Sequence, residues 1–334
     1  MTNQLNATSR NLNIDLIKII AMIGVVCLHS TFPFTVGDAP HIAQFLYRTA
    51  VISIPLFFMV SGYLLLGRES ASYSYSLTKI FKIVRFVFVF AAAYCLLYSA
   101  YHMDFTMWRF YCTTFLGAFI QRGYFAIFWY FGAMCLLYML YPCLNRLYLN
   151  RSRKLYCIFA LLLLLQSTVF VLNIVDDGEQ SVCQPFRLWN WVTYFLLGGL
   201  LKHVDGFGTK MLTCIVAMLL ILNPFYQQWL MPYIGSRFCE YFYSSPFIVV
   251  WVSAVFLLIT KVKITHTKGV KLLSQLFLPV YVIHPSVIRY LPGQTFETLG
   301  EAGPLAYFCA VLLITMTISY VAIKIPVVNK AFRL

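Results

Sequence analysis

Ten runs of apolar residues, each near bilayer-crossing length, succeed one another along this chain. They lie near 12–33, 44–66, 80–101, 124–145, 155–175, 188–203, 210–230, 243–260, 272–290 and 304–326. An α-helix rises ~1.5 Å per residue and a bilayer's hydrocarbon core is ~30 Å thick, so about 20 apolar residues cross it. Hydrocarbon offers no partner to a backbone N–H or C=O, and a helix satisfies both within the segment. The pattern therefore predicts an all-α polytopic membrane bundle of about ten transmembrane helices. Composition agrees: 61% of residues are hydrophobic and 11% charged, where soluble domains run near ~25% charged. No composition shift or linker divides the chain, so residues 1–334 read as one membrane domain.

The formal net charge is +14, which in a soluble protein would suggest nucleic acid. The distribution of charge gives a better account. With ten spans and the N-terminus inside, the outer loops hold Arg48, Arg109, Arg122, Arg187, Arg237 and Arg289 but no lysine. Eight of the eleven acids also fall outside: Asp38, Asp104, Asp176, Asp177, Glu179, Glu240, Glu297 and Glu301. The remaining lysines and arginines, through to Lys324, Lys330 and Arg333, fall inside. This is the positive-inside bias, and it puts both termini in the cytoplasm and the chain, multi-pass, in a plasma membrane. Nucleic acid is not an expected partner.

Residues 105–120 would upset that count if they crossed. They are short and carry Arg109, and a crossing there would move every later basic loop outside, so a surface-lying or re-entrant piece is expected. Asp15 and Lys18 interrupt the first apolar run, so it does not read as a cleavable signal peptide. Asn6-Ala7-Thr8 matches a glycosylation acceptor but falls on the cytoplasmic side. The ten cysteines show no C-x-x-C and no metal-like spacing with the histidines, so no metal site is expected. Cys183 and Cys239 fall in outer loops, where an oxidising compartment would allow them to pair.

Lys18 and His29 lie eleven residues apart in the first run. On a helix that step is ~16.5 Å along the axis and leaves the two within ~20° of each other. One stripe thus carries a cation low in the membrane and an imidazole high in it. Ionisable groups at such depths are candidates for function. Asp15, three residues before Lys18, lies on the same face and can balance it. In the second run, Ser61-Gly62 permits close helix approach or the passage of a narrow ligand. In the third, Lys79, Lys82 and Arg85 form a basic ladder suited to phosphates. In the ninth, Pro279 and Pro285 bracket Tyr281 and His284, with His284 at a depth similar to that of His29. Two histidines at one level on different helices could share a proton relay.

The ordered set D-x-x-K-x10-H (Asp15, Lys18, His29), F-F-x-x-S-G-Y (Phe57 to Tyr63), K-x-x-R (Lys82, Arg85), W-Y (Trp129, Tyr130) and V-Y-V-I-H-P (Val280 to Pro285) resembles the acyltransferase 3 family of membrane acyltransferases. The length of the chain resembles that of the stand-alone sugar O-acetyltransferases of bacterial inner membranes. The resemblance implies acetyl-CoA as acyl donor, with no permanently bound cofactor, and a cell-surface polysaccharide or lipid-linked glycan as acceptor. It implies His29 as catalytic base, with His284 beside it, and Lys18, Ser61, Gly62, Lys79, Lys82 and Arg85 along the donor's path. Lysine at position 82 keeps the charge of the family's first arginine but not its bidentate fork. Aromatic outer loops with Arg109, Arg122 and Arg187 would suit a sugar. Intramembrane charges and proline-broken helices also mark transport pathways, so a transporter or flippase is the alternative. The basic ladder favours an enzyme with a phosphate-bearing donor.

Overall fold

The computed structural model describes residues 10–37, 39–175 and 181–332. Asp38, Asp176, Asp177, Glu179, Arg333 and the Asn6-Ala7-Thr8 triplet lie outside the described residues. The described residues form helices joined by turns and short loops, with no strand among them, in the order α1 (Leu12–Thr31), α2 (His41–Thr49), α3 (Ser53–Leu65), α4 (Tyr73–His102), α5 (Trp108–Phe119), α6 (Trp129–Leu149), α7 (Arg153–Val175), α8 (Leu188–Leu200), α9 (Thr209–Ile234), α10 (Pro246–Thr260), α11 (Thr267–Gln275), α12 (Phe277–Tyr290), α13 (Gly303–Lys324) and α14 (Pro326–Ala331).

Each of the ten apolar runs is helical, but they are not ten equal spans. Among the described residues seven helical segments are long and apolar enough to cross a membrane, and α11 with α12 makes an eighth, bent by 54°. The 13 residues of α8 and the 15 of α10 reach ~20 and ~22 Å, short of a ~30 Å core. Length and composition thus support seven or eight crossings where about ten were expected. The 105–120 stretch forms the 12-residue helix α5, too short to cross, packed on α4 and α6.

The chain divides into two compact units. The first comprises Met1–Val60, Asp205–Phe225 and Val250–Val321. Its centre is α1, which packs against α2, α11 and α12 through Ile14, Ile17, Ala21, Val25 and other buried residues at the three- and four-residue steps of one helix face. Arg48 is buried here, and its charge is spread over neutral acceptors: Nη1 donates to the Pro224 carbonyl (2.9 Å) and Nη2 to Gln44 Oε1 (2.8 Å).

The second unit comprises Ser61–Val204, Tyr226–Val249 and Ala322–Leu334. Here the C-terminal end of α3, whose last carbonyls lack helical donors, is closed by side chains. Arg68 Nε donates to Leu64 O (2.7 Å), Tyr141 Oη to Leu65 O (2.9 Å) and Lys202 Nζ to Leu66 O (2.7 Å). Two of these donors are cations at the negative end of the helix dipole. On α7, apolar side chains such as Leu161 and Leu164 stay exposed, as a lipid-facing surface requires.

The second unit also buries an ion pair. Arg187, 2% exposed, lies 3.6 Å from Glu240, donates from Nε to Val182 O (2.9 Å) and stacks over Tyr241 at 5.0 Å. Arg187 is therefore committed to the interior and is not the sugar-facing arginine its loop suggested. Arg109 and Arg122 are exposed. Burial raises the Glu240 carboxyl above its ordinary range, with Arg187 opposing that rise. Removing one partner of a buried pair costs about 3–5 kcal/mol, mainly because the other charge stays buried. Arg187→Met should therefore lower the melting temperature in detergent strongly, and Glu240→Gln less, since burial already favours the uncharged acid. A group whose folded pKa is raised binds more protons folded than unfolded, so its contribution to stability falls as pH rises through that pKa. Wild type should then gain on Glu240→Gln as the pH is lowered, and a gap that narrows on acidification would contradict this assignment.

Candidate active site

The lower end of α1 is a polar knot. Asn11 caps the helix, accepting from the backbone N–H of Asn13 and Ile14, as N-cap asparagines do. Asn13 Nδ2 donates to the carbonyls of Ile259 (2.7 Å) and Val262 (2.8 Å), tying α1 to the end of α10. Asp15, 4% exposed, accepts from Lys18 at 3.3 Å and also pairs with Arg10, which reaches Ser274 on α11. The three-residue step from Asp15 foretells the Lys18 pair, whereas the second cation, Arg10, emerges only in the fold. A buried carboxylate with acceptor sites on both oxygens, five residues after an arginine, was the available signal.

At the upper end of the same helix, His29 meets His284 of α12, with ring centroids 5.3 Å apart and planes at 31°. The expectation that the two share a level is thus met by direct ring contact. His284 is fully buried, and its Nδ1 lies 3.0 Å from the Val280 carbonyl. A carbonyl only accepts, so Nδ1 carries the proton and Nε2 is left with its lone pair. Among the described residues Nε2 has no hydrogen-bond partner. The local sequence favours this: Pro285 has no N–H for the Tyr281 carbonyl, so backbone acceptors crowd the Nδ1 side of the ring. The Tyr281 ring lies 6.1 Å from that of His284, tilted by 53°. The result is a tautomer-fixed imidazole, base edge free, against a second imidazole.

Asp15, Lys18, His29 and His284 all belong to the first unit. Ser61, Gly62, Lys79, Lys82 and Arg85 belong to the second. Ser61 Oγ lies 3.4 Å from Tyr130 Oη, and the neighbouring Trp129 packs on Trp191 at 5.1 Å. A Cβ on Gly62 would collide with the backbone carbonyl of Phe195. The space that suggested a ligand passage is thus filled by α8, and Gly62 sets the approach of two helices. Gly62→Ala must push α3 and α8 apart at a cost of about 1–3 kcal/mol. It should lower thermal stability in detergent, whereas a ligand passage would show a weakened donor affinity at unchanged stability.

The basic ladder on α4 splits by direction. Lys79 lies over the Tyr75 ring at 5.9 Å, and Arg68, which the sequence places only among the inner flanking charges, donates to the Tyr75 hydroxyl at 3.4 Å. Lys82 and Arg85 instead open on a separate cavity of about 460 Å³. Three-residue steps drift ~60° each round a helix, which carries Arg85 well away from the Lys79 face.

A profile of the acyltransferase-3 family, described as an acyltransferase domain, matches residues 11–324 and so runs through both units. The chain belongs to the acyltransferase-3 family. A curated amino-acid racemase of Enterococcus faecalis is 44% identical over 64 residues, which make up 19% of this chain and 9% of that protein. The chain thus spans under a tenth of that relative's length. No solved structure matches. The chain thus joins an acyltransferase-3 domain to apolar helices long enough to cross a membrane. For acyl transfer to a hydroxyl, a neutral imidazole is a suitable proton acceptor, and the first unit holds two in contact.

Proposed function

We propose that the protein moves an acetyl group from cytoplasmic acetyl-CoA to a hydroxyl of a cell-surface polysaccharide or lipid-linked glycan, in a bacterial inner membrane, with residues 1–334 acting as one membrane domain. The observation that carries this reading is the His29–His284 contact at 5.3 Å in a chain of an acyltransferase family. The acceptor oxygen attacks the thioester carbonyl as His29 takes its proton. The new C–O bond forms, the C–S bond breaks, and the proton is returned to the departing thiolate. His284, with Nε2 unprotonated, is the second station for that proton. Lys18, Lys79, Lys82 and Arg85 serve the anionic donor on the cytoplasmic side, where both termini also lie. Ser61 and Gly62 contribute by position, holding α3 against its neighbours.

Membranes carrying the full chain, given acetyl-labelled acetyl-CoA and surface glycan, should yield alkali-labile label on the glycan. No label with any glycan, together with uptake of a labelled solute, would replace this reading with transport.

A further inference from the structure

Beyond α13 the chain turns at Ile325 and forms the six-residue α14, which the sequence reading treated only as a basic cytoplasmic end. Phe332, just after it, packs on Phe90 (5.2 Å) and Phe86 (6.5 Å) of α4. Phe86 is itself held edge-on by Phe131 of α6 at 5.2 Å. This aromatic anchor fastens the C-terminal segment to the helix that bears the basic ladder.

The fastening has an electrostatic consequence. Lys330 joins Lys82 and Arg85 around the cavity of about 460 Å³, and Phe86, Val89 and Ala331 complete its lining. The lining contains three cations and no acid. Among the described residues none of the three is in an ion pair. Three like charges brought to one space repel unless an anion joins them, and phosphate oxygens are the acceptors that lysine and arginine hold best by charge-assisted bonds. The volume lies within the usual range for small-molecule sites, about 300–1,000 Å³.

We propose that Lys330, carried by a C-terminal strap, is the third cation of the donor-phosphate site that Lys82 and Arg85 begin. The inference rests on the donor reading above, which makes the diphosphate of coenzyme A the occupant. An anionic lipid headgroup shares the same chemistry, and the test separates the two.

The full-length protein, in nanodiscs of zwitterionic lipid, is titrated with coenzyme A. Lys330→Ala should weaken binding about tenfold, Lys330→Arg should stay within about twofold of wild type, and Phe332→Ala should follow Lys330→Ala by releasing the strap. Arg85→Ala should weaken binding at least as much. Unchanged affinity in Lys330→Ala and Phe332→Ala, with loss in Arg85→Ala, would remove the strap from the site. A second titration uses vesicles containing phosphatidylglycerol. If Lys330→Ala changes lipid retention but not coenzyme A binding, the donor is not the occupant and the proposal is overturned. The enzymatic reading fails separately, and only if wild type transfers no acyl label.

Discussion

Replacing His29 by alanine is expected to lower acyl transfer by about 10²–10⁴-fold, the usual contribution of a positioned general base, while the protein stays folded. Two features of the site support so large an effect. His29 sits on α1, whose lower end is fixed by the Asn13 bonds to Ile259 and Val262 and by the Asp15 pairs, so the ring is carried by a rigid element. Its ring packs on another imidazole and not on a structural acceptor, so the side chain is not needed to satisfy a buried group. The loss should therefore appear in the maximal rate, with donor affinity and melting temperature near wild type. Label transferred to glycan from acetyl-CoA measures the first, coenzyme A titration the second, and a detergent melt the third. A rate within threefold of wild type would take His29 out of the chemistry. A fall in melting temperature matching the lost rate would make it structural.

Much of this architecture was legible because hydrocarbon allows few solutions. Apolar runs had to be helices, and each is. Crossing number was harder to read, since hydropathy does not distinguish a 13-residue buried helix such as α8 from a span until its ends are known. The bend before Phe277 was signalled by Pro279 and Pro285, although its angle depends on packing that no local pattern encodes. The two histidines were placed at one depth by their positions along the first and ninth runs, and they meet.

What escaped the sequence is long-range in the chain. Gly62 read first as a helix contact and second as a passage, and the carbonyl of Phe195, more than a hundred residues on, decides for the contact. Arg187 resembled any loop arginine until Glu240 was found against it. Arg10, Arg68 and Lys202 were counted as flanking charge, yet each has a named acceptor. Positive-inside bias explains why cations accumulate on one side. It cannot say which of them a helix end will recruit.

The His284 series tests the relay itself. His284 is fully buried and uses Nδ1 to satisfy a backbone carbonyl, so alanine would mix a cavity and an orphaned acceptor with any chemical effect. Asparagine avoids most of that, because its amide N–H₂ can replace Nδ1–H toward Val280 while nothing replaces Nε2. If Nε2 receives the proton His29 takes up, His284→Asn should cost about 10²-fold in kcat/KM, with a small shift in melting temperature. Glutamine reaches farther and puts an amide oxygen near the Nε2 position, which accepts a hydrogen bond but takes no proton at neutral pH. Recovery in His284→Gln would mean that Nε2 only orients His29. Failure of both amides would mean that it must be basic. The double replacement of His29 and His284 decides whether they form one device, since residues acting as a unit give strongly non-additive losses. A double variant no worse than His29→Ala alone is the expected result, and losses that multiply would break the relay into two independent roles.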